Sequence, residues 1–151
     1  MPPKITQREK QHDDRLQEAK FGSVRVKVGF PKGKQNPYPD GTSVIEVAVK
    51  NEFGEGRIPE RPFFRNSMRF NRKKYIETNQ KLLTKVAAGQ MATEVALETL
   101  ATIAVGDIQD EIVNLREPPN APMTIRLKGS DNPLIDTGHM RQSVTYELTD
   151  D

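Results

Sequence analysis

Apolar and polar positions alternate through FGSVRVKVGF, where Val24, Val26 and Val28 are separated by Arg25 and Lys27. A period of two bounded by glycines predicts a strand with one buried face. PKGKQNPYPDG follows, with three prolines and two glycines in eleven residues, and predicts an exposed loop. In SVIEVAVKNEFG, Val44, Val47, Ala48 and Asn51 fit one face of a helix, while the β-branched content favours a strand. A cap from Asp40 or Thr42 before it and Gly54 after it tip the reading to a short helix.

RIPERPFF places Pro59 and Pro62 three apart, so the chain is extended and stiff there. Pro62 suits the first turn of a helix. From there to Ala88, Phe64, Met68, Tyr75, Leu82 and Val86 recur at sums of three and four, predicting an amphipathic helix that Gly89 ends. A second long helix is predicted from Met91 to Arg116, with Val95, Leu97, Leu100, Ala104, Ile108, Ile112 and Leu115 on its face. Gly106 in its middle marks either a close crossing with the first helix or a kink. EPPNAP is a rigid break, MTIRLKG a short apolar segment and SDNPL a turn. SVTYEL, with Val144, Tyr146 and Leu148 alternating, is a final strand.

The elements together predict an α+β chain. A small, mainly antiparallel sheet packs with two long helices and short ones. Residues 1–20 are polar and read as an extended N-terminal arm, a frayed helix or a segment disordered until bound. Residues 21–151 then form a single domain, as expected for a chain of 151 residues. With 34% apolar residues the core is lean, which favours burial completed by partner subunits. No apolar run approaches the roughly 18 residues that span a bilayer, so no membrane partner is expected. The opening MPPKITQREKQHDD lacks an apolar core and is not read as a secretory signal. The absence of cysteine excludes disulfide frameworks and Cys-based zinc sites and suits synthesis in a cytoplasm.

Net charge is +2, but it is unevenly spread. Residues 57–85 carry nine Lys/Arg against two Asp/Glu, and residues 91–151 carry four against eleven. A chain with one basic and one acidic half can attract copies of itself head to tail, if each half is more than a solvated face. Within the basic half, Arg61, Arg65, Arg69 and Lys73 stand at i, i+4 spacing, with Arg57 before them and Arg72 and Lys74 beside them. On one helix they would form a stripe about 18 Å long. Like charges so spaced repel, so the stripe awaits an acidic subunit, phosphate or plain solvent.

Candidate catalytic chemistry is thin. Leu134-Ile135-Asp136-Thr137-Gly138 is how an acid-protease aspartate is written, but such an enzyme needs two facing aspartates in a β-barrel, and the region upstream reads as two helices. The structural alternative is that Asp136 or Thr137 offers a side-chain oxygen to the free N–H groups of the turn GHMRQS. His12-Asp13-Asp14 has no partner at ligand spacing, and neither a Walker loop nor a Gly-x-Ser-x-Gly elbow occurs. No enzymatic activity, metal or cofactor is expected.

Two stretches, VAVKNEFGEGRIPERPFFR (residues 47–65) and REPPNAPMTIRLKGSDNPLIDTGHMRQSVTYEL (residues 116–148), together with the spacing between them, resemble the virion-morphogenesis proteins of tailed bacteriophages. The group is that of tail-completion or head–tail joining proteins. In it an Asn-Glu-Phe-Gly element leads into Ile-Pro-x-Arg-Pro-Phe-x-Arg. Two helices follow, then a Pro-Pro-Asn segment, a Lys-Gly and a Leu-Ile-Asp-Thr-Gly turn before a terminal strand. The resemblance covers residues 23–148. It implies a non-enzymatic structural protein whose copies form a ring, a hexamer or dodecamer, at the neck of the virion. Its implied partners are itself, the connector or adaptor proteins of the capsid neck, the tail terminator or tail tube protein, and genomic DNA in the channel. It also implies which residues matter: Asn51, Glu52, Phe53, Gly54, Ile58, Pro59, Arg61, Pro62, Phe63 and Arg65, then Lys128, Gly129, Leu134, Asp136, Thr137 and Gly138. Asp136 either caps its own turn or pairs with Arg61 or Arg65. A tail terminator capping the tube, and a nucleic-acid-binding protein using the Arg61–Lys73 stripe with Arg57 and Arg72, are the competing expectations.

Overall fold

The computed structural model describes residues 24–150. In chain order they form β1 (Val24–Gly29), α1 (Val44–Phe53), α2 (Phe63–Ala87), α3 (Thr93–Asn114), α4 (Pro122–Lys128), α5 (His139–Gln142) and β2 (Thr145–Asp150). The chain is α+β, with a two-stranded antiparallel sheet, two long helices and three short ones among the described residues. The expected arm at residues 1–20 lies outside the described residues.

β1 and β2 bring the two ends of the described chain together, with Val24 opposite Asp150, Val26 opposite Leu148 and Val28 opposite Tyr146. Both alternating segments therefore put their apolar positions on one face, while Lys27 stands opposite Glu147 on the other. The sheet lies against α3, and α2 and α3 pack on each other as a helical hairpin. Its turn is closed by Gly89, at φ +69°, whose N–H donates to the Val86 carbonyl at 2.9 Å.

The main core gathers Val44 and Ala48 of α1, Phe63 of α2, Ile108 and Ile112 of α3, and Leu115, Leu134, Met140 and Val144. Phe30 meets Phe63 edge-on within it, at a centroid distance of 6.4 Å. A smaller cluster of Leu82, Val86 and Ala96, with Met91 and Leu100 against it, closes the far tip of the hairpin. Burial explains why a β-branched segment is helical: α1 buries Val44, Ala48 and Glu52, four apart, whereas a strand would put Glu46 and Lys50 on that same buried face.

Several expectations are corrected. Ser43 takes the position before α1, and Asp40 instead accepts the Thr42 N–H at 2.9 Å in a turn of its own. Pro62 stands just before α2 rather than within its first turn. The second long helix starts at Thr93 and stops at Asn114, two residues inside each expected end, and Val95 is exposed while Ala96 and Ala101 are buried along with the expected Ala104. Gly106 makes no close crossing, since a Cβ there would meet nothing within 4 Å. MTIRLKG, read as an apolar segment, is part of helix α4, entered through Pro122 and left through Gly129 at φ +68°. GHMRQS contains the single-turn helix α5.

Candidate functional site

The element Asn51–Arg65 folds back on itself as one knot. Glu52 is only 5% exposed, and its carboxylate accepts the N–H groups of Phe64 (2.9 Å) and Arg65 (3.1 Å) at the start of α2. A residue of one helix thus caps the next, satisfying donors that no intrahelical carbonyl can reach. The Arg65 guanidinium closes the knot: Nε donates to Glu52 Oε1 at 2.8 Å, and Nη2 donates to the Glu52 carbonyl at 2.7 Å and to Glu60 Oε1 at 2.6 Å. It also lies over the Phe53 ring, 4.9 Å from its centroid. Gly54, at φ +73°, passes so close to the returning strand that a Cβ would sit 3.0 Å from the Glu60 nitrogen. Between them Glu55 and Ile58 exchange backbone hydrogen bonds, which leaves Arg57 and Pro59 exposed around the turn. Phe63 descends from this knot into the core.

Arg61 ties the knot to the second motif region. It is 3% exposed; its Nε donates to the Pro118 carbonyl at 2.7 Å and its Nη2 to the Pro119 carbonyl at 3.1 Å, with Asn120 Oδ1 at 3.3 Å. Its own N–H donates to the Asn51 carbonyl at 2.7 Å. The planar fork spans two successive carbonyls, a task suited to arginine and not to lysine.

Of the second set, Lys128, Leu134, Asp136, Thr137 and Gly138 line a cavity of about 290 Å³ together with Asn51, Val47, Tyr38 and His139, while Gly129 does not reach it. Lys128 donates to the Asn132 carbonyl at 3.1 Å, and partial burial lowers its pKa, partly offset by Asp136. Tyr38 stacks at a tilt on His139, 4.7 Å between centroids, and its pKa is raised by burial and then by Asp136 and Asp40. His139 Nε2 is 2.8 Å from the Asn36 carbonyl, and its backbone N–H reaches Thr137 Oγ1 at 3.4 Å. Thr137, not Asp136, therefore serves the turn. Asp136 pairs with neither Arg61 nor Arg65, whose donors are taken elsewhere; it faces Lys128 and Tyr38. Gly138, at φ +80°, starts α5.

The single cationic stripe is corrected. Arg61 precedes α2 and is buried, and Arg65 is bound to Glu52 and Glu60. Lys74 is paired with Asp107 across the hairpin, and Asn66 donates to Glu111 at 3.2 Å. Part of the basic–acidic division of the sequence is thus met inside one chain, where α2 lies along α3. Arg69, Arg72 and Lys73 remain exposed, with exposed Phe70 beside them and the Arg69 guanidinium 5.0 Å from its ring centroid.

Two residues escaped the sequence reading as organisers. Glu52 was legible as a motif letter but not as a buried cap. Asn132 is buried, donates to the Val113 carbonyl at 3.0 Å and accepts the Leu134 N–H at 3.1 Å; an Asn before Pro in a turn is the signal that could have found it. Two exposed apolar features were missed as well: a groove of about 210 Å³ lined by Phe30, Val49, Phe53 and Phe64, and the outer face of α4. Among the described residues no three His, Asp or Glu side chains are grouped to hold a metal ion, and no helix is long and apolar enough to cross a membrane. No family model, curated protein or solved structure matches the chain.

Proposed function

We propose that this chain is a structural protein of a tailed-bacteriophage particle, acting as a homo-oligomeric ring at the neck that completes the tail and joins it to the capsid connector. One observation carries the reading. The motif residues behind the resemblance are scattered over two segments, yet they fold into one continuous frame. Asn51 lines the cavity of Lys128, Leu134 and Asp136, Glu52 and Arg65 lock α1 to α2, and Arg61 clasps Pro118 and Pro119. An ordered motif set that makes a single scaffold is what a family fold requires, and chance letters have no reason to meet.

The scaffold leaves its contacts to the outside on exposed faces, which suits a protein whose work is assembly. Deleting the gene from the parent phage and imaging the lysate tests the reading. Filled heads beside detached tails of normal length are expected. Overlong tails would mark a tail terminator instead, and intact infectious particles would overturn the neck role. The exposed trio Arg69, Arg72 and Lys73 is suited to a weak contact with DNA in the channel. With Arg61 buried and Arg65 neutralised by Glu52 and Glu60, strong DNA binding by the isolated chain is not expected.

A further inference from the structure

Two apolar features stand open to solvent among the described residues. The first is the groove beside α1, where Val49 is 50% and Phe53 61% exposed over a floor of Ala48 and Phe63. The second is α4, a helix with no buried residue, whose Met123 and Leu127 stand one turn apart and are 64% and 80% exposed. Large side chains held in water on a formed helix mark a contact surface, and methionine is the side chain that best adapts to a facing groove.

The two features cannot meet in one chain. At roughly 100° per residue, Val49 and Phe53 lie on the side of α1 opposite Val47 and Asn51. Val47 and Asn51 line the cavity that Lys128, the last residue of α4, also lines. So α4 belongs to one side of α1 and the groove to the other. Charge agrees with a match between them. Glu52 and Arg65 line the groove, and the segment around it adds Glu46, Glu55 and Glu60 against Lys50 and the exposed Arg57, four acids to three bases. On α4, Arg126 is exposed beside the ridge and no acid stands in the first turn, while Lys128 is turned to the cavity.

We infer that the Met123–Leu127 ridge of one copy docks in the Val49–Phe53 groove of the next, a head-to-tail contact that closes into a ring when its rotation closes. This builds on the neck ring proposed above and names its subunit contact. The occupant of the groove is a second copy of this chain, since ridge and groove carry opposite excess charge on the same molecule.

The chain has no cysteine, so thiol cross-linking can be placed at will. Full-length Val49→Cys/Leu127→Cys treated with a short bismaleimide is expected to give a ladder of covalent multimers. A mixture of the two single variants should give dimers containing one of each, and either single variant alone no more dimer than the exposed control Thr84→Cys. A second pair at the charged flanks, Glu46→Cys/Arg126→Cys, should reproduce the ladder, so one misfolded variant cannot decide the matter. Cross-linking of both pairs at the control level overturns the contact. Efficient self-dimers of Leu127→Cys alone would show a two-fold contact and overturn it too. A ladder with harmless gene deletion would keep the contact and sink the neck reading; detached tails with no ladder would do the reverse.

Discussion

Glu52 illustrates how little a residue's letter says about its work. As a charged position in a helix it reads as solvent-facing, yet it is buried and holds two N–H groups of α2 and the side chain of Arg65. Replacing it with Ala strands those donors, and the expected loss is about 2–4 kcal/mol of unfolding free energy, read from urea titrations. Gly54→Ala is expected to lose about 1–3 kcal/mol in the same assay, because it combines a positive φ with a Cβ pressed on backbone. The sequence marked both positions as motif residues. It also suggested a four-cation stripe, which fails for a physical reason: Arg61 bonds to carbonyls more than fifty positions away, and helical spacing carries no information about such partners. Reversing the charge of Arg65 would therefore test folding and not assembly.

At the scale of elements, periodicity was a good guide, and both strands and the two long helices fall close to their expected spans. Less legible was which side of each helix is buried. α3 buries Ala96, Ala101 and Ala104, with Ala96 packed on Leu82 and Val86 of α2, and a pattern of large apolar side chains overlooks Ala96 and Ala101. Gly106 belongs to that helix without serving the contact. Gly106→Ala is accordingly expected to raise stability by about 0.5–1 kcal/mol, and a loss would mean that the close crossing exists after all. Between the helices, burial, and then Asp107, pushes the Tyr75 phenol up to about 12 from 10.0. The folded chain then keeps a proton that the unfolded chain releases. That contribution to stability is whole below pH 10 and is lost as pH rises through about 12. Tyr75→Phe should flatten this alkaline fall in urea midpoints, and an unchanged slope would assign the fall to other groups.

For the whole molecule, the distribution of burial sets what can move. The end of the hairpin beside the sheet shares the main core with α1, Leu134 and Met140, whereas its tip is held by Leu82, Val86 and Ala96 with Met91 and Leu100. The stretch between holds a polar group, Ser67, Tyr75 and Asp107, in place of apolar side chains. A helix pair anchored at one end and lightly packed at the other opens locally from the light end, because local stability follows the apolar contacts each segment keeps. Composition hinted at this lean packing, but only the pairing of positions across the hairpin shows where the packing is thin. Native-state hydrogen exchange should find amides of residues 80–96 exchanging through openings well below the global unfolding free energy, and those of residues 105–112 only near it. Equal protection along the hairpin would mean that the tip cluster is as strong as the main core, and the hairpin would act as a rigid strut. If the tip exchanges first, the chain has a firm base carrying the motif frame and a compliant arm. In the proposed ring, the groove beside α1 then lies on the firm part, and the hairpin tip is left to adapt to whatever it meets.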